Sequence, residues 1–322
     1  MAHRHIHDHG HGHHHGHAHA ARPSQPGEHG AERAFALAVA LNLAFVAIEA
    51  GWGWHVGSLA LLADAGHNLS DVAGLLLAWA GALAARVRPG PRHTYGFKRA
   101  GIVAAFVNAV LLLGAMAWLA WEALQRLWQP QPVPGVSVMV VAAIGIVINT
   151  ATALLFVRGS AHDLNQRGAL LHMAADALVS AGVVVAGALT WWQGWDWVDA
   201  AASLVIAIVI VVGTWGLLRE SLHLLFDGVP AQVDLEAVRA LLASQPGVTA
   251  VQDLHVWAMG TREVALTAHL IMPAGGGDDA FLHATAQALR ERFGIGHTTL
   301  QVLRAPSPQA CDGASAASVC TA

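Results

Sequence analysis

The chain has 322 residues, of which 55% are hydrophobic and only 12% charged, with a mean hydropathy of +0.48; this excludes an ordinary water-soluble domain. The formal net charge of −4 is too small and of the wrong sign for a polyanion binder, so no nucleic-acid partner is expected. An integral membrane protein in contact with lipid is what the composition leaves.

In chain order, residues 1–32 come first, with ten histidines among the first twenty positions. The stretch is too polar and glycine-broken to bury a core, and it reads as a disordered cytoplasmic arm, a scavenger or buffer of zinc or else a tolerated low-complexity tail. No basic stretch followed by an apolar run, the mark of a cleavable signal peptide, opens the chain. Apolar spans follow at 33–54, 58–85, 100–125, 134–157, 168–190 and 199–218, each near the roughly 20 helical residues that a bilayer core requires. Six transmembrane helices over residues 33–220 are therefore expected, with a weak internal echo between 60–83 and 168–189. Trp52, Trp54, Trp191, Trp192, Trp195 and Trp197 fit interfacial anchors.

Orientation follows from the basic residues. The second connection carries Arg86, Arg88, Arg92, Lys98 and Arg99, the fourth Arg158 and Arg167, and the exit of the sixth span Arg219, whereas the opposite connections hold only Arg126. Positive loops stay inside, so both termini are expected in the cytoplasm. Arginine over lysine and abundant alanine suggest a high-GC bacterium, and hence its inner membrane.

Two pentapeptides stand out within this apolar sequence: His67-Asn68-Leu69-Ser70-Asp71 and His172-Met173-Ala174-Ala175-Asp176. On a helix, residues four apart share a face, so each HxxxD aims an imidazole and a carboxylate at one point. Two such helices together offer two nitrogen and two oxygen ligands, a donor set suited to tetrahedral Zn²⁺. The plain alternative is a pair of hydrogen-bonded polar links between helices, against which stands the functional default for intramembrane ionisable groups. Asp64 shares the face of His67 and reads as an outer partner orienting it, as a proton relay, or as polar packing near a helix end. Glu49, Glu122 and Asp199 lie near predicted helix ends and read as interfacial in preference to the alternative, metal ligation, while Asn149 is expected to make an interhelical hydrogen bond. Gly66, Gly74, Gly81, Gly168, Gly182 and Gly187 permit close helix approach.

After Asp227-Gly228-Val229-Pro230 the pattern becomes that of a soluble domain. Helical periodicity at 232–244, alternation at 248–259 and 263–272, a helix at 281–293 and a strand at 298–303 give an α-β-β-α-β order. A cytoplasmic, ferredoxin-like α+β domain over 229–305 with regulatory and dimerisation roles is expected, followed by a flexible tail at 306–322. His255, His269, His283 and His297 are candidate regulatory zinc ligands, each weighed against an ordinary surface or strand residue, with His269 the best placed. Cys311 and Cys320 would lie in a reducing compartment, which disfavours a disulfide and leaves a labile metal contact or no role.

Taken together, 58–71 (Ser58-Leu59-Ala60-Leu61-Leu62-Ala63-Asp64-Ala65-Gly66-His67-Asn68-Leu69-Ser70-Asp71), Arg92-His93-Thr94-Tyr95-Gly96-Phe97, His172 with Asp176, and Asp253-Leu254-His255-Val256-Trp257 make the sequence resemble the cation diffusion facilitator family of zinc transporters, over roughly residues 33–304. The resemblance implies a homodimeric exchanger that moves Zn²⁺ out of the cytoplasm against protons, with His67, Asp71, His172 and Asp176 as the transport site. It implies a zinc-preferring, cadmium-tolerant member, with Co²⁺ also a candidate cargo, because histidine stands at position 67. It also marks the loop of His93 as a secondary metal position, although Pro91 and Phe97 stand where some relatives carry ligands. In the soluble domain Gln252, Gly296 and Leu303 replace residues that often ligate metal in relatives. Two other classes use the same residues: a membrane metal sensor or receptor without turnover, and an intramembrane metallohydrolase. The latter is disfavoured by a closed four-ligand shell with no general base beside it.

Overall fold

The computed structural model describes residues 28–157, 164–261 and 263–306. The arm before residue 28, Arg158, the tail from 307 with Cys311 and Cys320, and the side chain of His172 fall outside the described residues. Six long helices come first: α1 (Glu28–Val56), α2 (Leu59–Ala85), α3 (Ala100–Trp128), α4 (Gly135–Val157), α5 (Leu164–Gln193) and α6 (Trp197–Leu225). By length and composition, five of them, α2 to α6, have stretches apolar enough to cross a membrane. α1 is already helical at Glu28, the first described residue, so the expected start at 33 falls within the helix.

Many large apolar side chains on these helices are exposed, among them Trp79, Leu111, Val147, Leu178 and Val212. In water such a surface would drive aggregation; facing acyl chains it is the expected exterior of a membrane bundle, and the helices satisfy their own backbone groups.

Packing divides the chain into two units, Met1–Leu69 with Ala117–Ile208 and Ser70–Met116 with Val209–Ala322, a division that runs through α2, α3 and α6. In the first unit, α4 lies along α5. A Cβ at Gly187 would stand 2.9 Å from the Gly135 carbonyl, so this crossing requires glycine. The α3–α4 connection carries Pro130, Pro132 and Pro134; proline ends the first helix and opens the second, where it has no N–H to lose.

The second unit contains the soluble domain: α7 (Leu235–Ala243), β1 (Ala250–Ala258), β2 (Val264–Ile271), α8 (Asp279–Phe293) and β3 (Ile295–Leu303). The sheet order is β1-β2-β3, with β1 and β2 antiparallel and β2 and β3 parallel. Asp234 caps α7 by accepting from the N–H groups of Glu236 and Ala237, and Asp278 caps α8 through Phe281. The core joins Val238 and Leu242 of α7, Val256, Leu266 and Leu270 of the sheet, and Leu289 of α8. β3 begins three residues earlier than the sequence pattern suggests, because Ile295 pairs with Val264 and His297 with Ala265 despite the intervening Gly296.

Also in this unit, Lys98 bonds to Glu263 and Arg99 to Asp227, tying the α2–α3 loop to the domain and its connecting segment. Gly260 passes so close to this loop that a Cβ there would stand 2.7 Å from the Lys98 carbonyl.

Candidate metal site

The site begins with helix spacing. His67 and Asp71 occupy successive turns of one face of α2, and Asp176 lies on α5. His67 Nε2 is 3.4 Å from Asp176 Oδ1, and Asp176 is only 1% exposed. Ligand atoms of Asp71 and of Asp176 each lie within 4.8 Å of that of His67. A borderline nitrogen and hard oxygens at this spacing, inside apolar helices, form a donor set that a divalent zinc-like ion fits, since the ion neutralises carboxylates that would be costly in lipid. His172 precedes Asp176 by one turn of α5.

Polar groups surround these residues. Asp64, fully buried, accepts from the Ser180 hydroxyl at 2.7 Å, and the Asn68 amide stands 3.5 Å from its other oxygen. Ser180 is one turn beyond Asp176, so Asp64 braces α2 against α5 beside His67. Glu49 departs from the interfacial reading: it is completely buried on α1, because the face of α1 that carries it turns toward Asp64 and Asn68.

Asp199, in the first turn of α6, is enclosed as well. At 4% exposure it accepts from the Ser58 hydroxyl at 2.6 Å and from the Leu59 N–H at 2.8 Å, capping α2 from α6. Sequence reasoning missed this clasp. The available signal was that connections 1–2 and 5–6 emerge on the same side and bring Ser58 and Asp199 to one level. Glu122 pairs with Arg126, which also donates to the Gly57 carbonyl. Asn149 is enclosed, but neither its carboxamide nitrogen nor its oxygen has a hydrogen-bond partner among the described residues, contrary to the expected interhelical bond.

Among the described residues, the cytoplasmic histidine candidates are dispersed except for His255 and His269. His93 is exposed against Phe97, with ring centroids 4.7 Å apart, and His297 meets Tyr95 edge-on at 5.6 Å. His283 is exposed on α8. His255 and His269 both approach Asp253, at 2.9 and 3.7 Å, where a bulge in β1 and a positive φ of 51° turn this aspartate.

Comparison with known proteins assigns the class. The cation efflux transmembrane domain matches residues 35–226, and the cytoplasmic domain of cation efflux proteins matches residues 230–304. The chain belongs to the cation efflux family of membrane transporters. It is similar to the metal cation efflux system protein CzcD of Cupriavidus metallidurans, 35% identical over 282 residues, 87% of this chain and 89% of that protein. It is also similar to the zinc transporter ZitB of Escherichia coli, 35% identical over 279 residues, 86% of this chain and 88% of that protein. The cadmium, cobalt and zinc/H(+)-K(+) antiporter of Bacillus subtilis is 31% identical over 266 residues, 80% of this chain and 84% of that protein.

Proposed function

We propose that the protein exports Zn²⁺, with Cd²⁺ and Co²⁺ as secondary cargo, from the cytoplasm across a bacterial inner membrane in exchange for protons. His67, Asp71, His172 and Asp176 form the transport site in this reading. The observation that carries it is the approach of the His67 imidazole to the buried Asp176 carboxylate between α2 and α5. The names of the relatives, which include zinc, cadmium, cobalt and proton exchange, support the cargo and the counter-ion.

The coupling follows from ligand chemistry. Imidazole binds zinc only when neutral and carboxylate only when ionised, so protons and metal compete for the same groups. Alternating exposure of the site to the two sides then makes each occupancy change an exchange. A homodimer held through the soluble domain agrees with the matched cytoplasmic domain, and cytoplasmic termini agree with the arginine-rich second and fourth connections. In this scheme zinc at His255 or His269 would regulate transport rather than take part in it.

Zinc uptake into everted vesicles under an imposed pH gradient tests the function. The wild-type chain should accumulate zinc, and Asp176→Ala should reduce the rate at least tenfold. Tight zinc binding with no flux in the wild type would instead identify a receptor.

A further inference from the structure

Glu49 lies outside the cluster of His67, Asp71 and Asp176, yet it is as thoroughly enclosed as Asp64, at 0% exposure. Its carboxylate interacts with the side chains of Asp64 and Asn68 without either oxygen reaching strict hydrogen-bond geometry, and no ion pair among the described residues involves it. The groups facing it are the Asp64 carboxylate and the Asn68 carboxamide, both on α2, and neither is a proposed metal ligand. Asp64 is held in turn by Ser180 of α5, one turn beyond Asp176, and lies one turn before His67 on α2. Three helices thus meet at a line of side chains that runs from Glu49 through Asp64 toward the transport site.

Two facing carboxyl groups in a dry, low-dielectric environment are accommodated by a proton held between them, which turns repulsion into a hydrogen bond. A lysine or arginine would serve as well, but none pairs with Glu49 among the described residues. A dication arriving beside His67 and Asp176 adds positive charge near this pair, and its field weakens the hold on the shared proton. When the metal departs, the proton is held again.

We propose that Glu49 is a proton-binding site of the exchange, separate from the metal ligands and linked to them through Asp64. This assignment rests on the proton-exchange reading above. It adds a carrier whose loading depends on metal charge, in addition to direct competition at the ligands.

The test uses the full-length protein in liposomes and compares two modes: zinc uptake driven by a pH gradient, and exchange of labelled for unlabelled zinc at equal pH, which needs no net proton movement. Glu49→Gln keeps the shape of the side chain and removes the titratable group, so the ratio of driven to exchange flux should fall at least tenfold. Glu49→Asp should restore much of that ratio while shifting the pH dependence of driven uptake. An unchanged ratio in Glu49→Gln overturns the assignment, and so does loss of both modes in equal proportion, which marks a packing role. Should Glu49→Gln fail to elute as intact protein, Glu49→Asp decides alone, and a pH profile identical to the wild type overturns the proposal. A wild-type protein whose zinc flux ignores the gradient overturns the proton-exchange reading itself.

Discussion

At the scale of single residues, ligand chemistry governs what the site would select. Imidazole is a borderline donor, whereas a carboxylate oxygen is hard, so His67→Asp should relax the preference for zinc and let manganese or iron compete better. Competition assays should move by at least severalfold; identical profiles would leave helix geometry in charge of selectivity. Asp71→Ala should abolish zinc flux while the protein still elutes as a folded species, because removing a polar group from a helix in lipid seldom destabilises the bundle. The shared face of His67 and Asp71 was legible in the sequence because helical spacing alone puts positions i and i+4 on one side. Glu49 was not: its burial depends on which face of α1 meets α2, and an apolar helix in lipid carries little periodicity to reveal this.

At the scale of elements, α2 matters most, since it carries Asp64, His67 and Asp71, and its start is clamped from α6. Asp199 accepts from the first N–H of α2 and from the Ser58 hydroxyl, while Ser58 also accepts from the Leu61 N–H at 3.2 Å. A cap of this kind contributes about 1–2 kcal/mol, and a carboxylate adds a favourable interaction with the helix dipole. Asp199→Asn places amide hydrogens against donors and should lower the melting temperature in detergent more than Ser58→Ala does. Equal melting of both variants and the wild type would show that the clasp contributes nothing. The ends of elements were the least legible features. α7 starts at Leu235, behind its Asp234 cap, rather than at 232, because the turn from Pro230 to Val233 closes before the helix begins.

At the scale of the whole molecule, hydropathy and the alternation of apolar and polar residues made the apolar helices and the α+β domain legible, since both depend on solvent preference rather than on packing detail. The division of the packing through α2, α3 and α6 was not legible, because it reflects which helices touch and not which are apolar. The ten histidines among the first twenty residues belong to this scale too, since their effect is on supply of the cargo and not on the site. Neutral imidazoles bind zinc singly and weakly, and covalent attachment to the transporter raises the concentration of bound metal near it, an effect on the order of millimolar for short linkages. Such capture helps when free zinc is scarce and adds nothing once the transport site is saturated. Deleting residues 1–27 should therefore raise the apparent KM for zinc several-fold and leave the maximal rate close to that of the wild type, measured as initial uptake across a range of buffered free zinc. Loss of flux at saturating zinc would instead make the arm an obligatory part of the transport cycle.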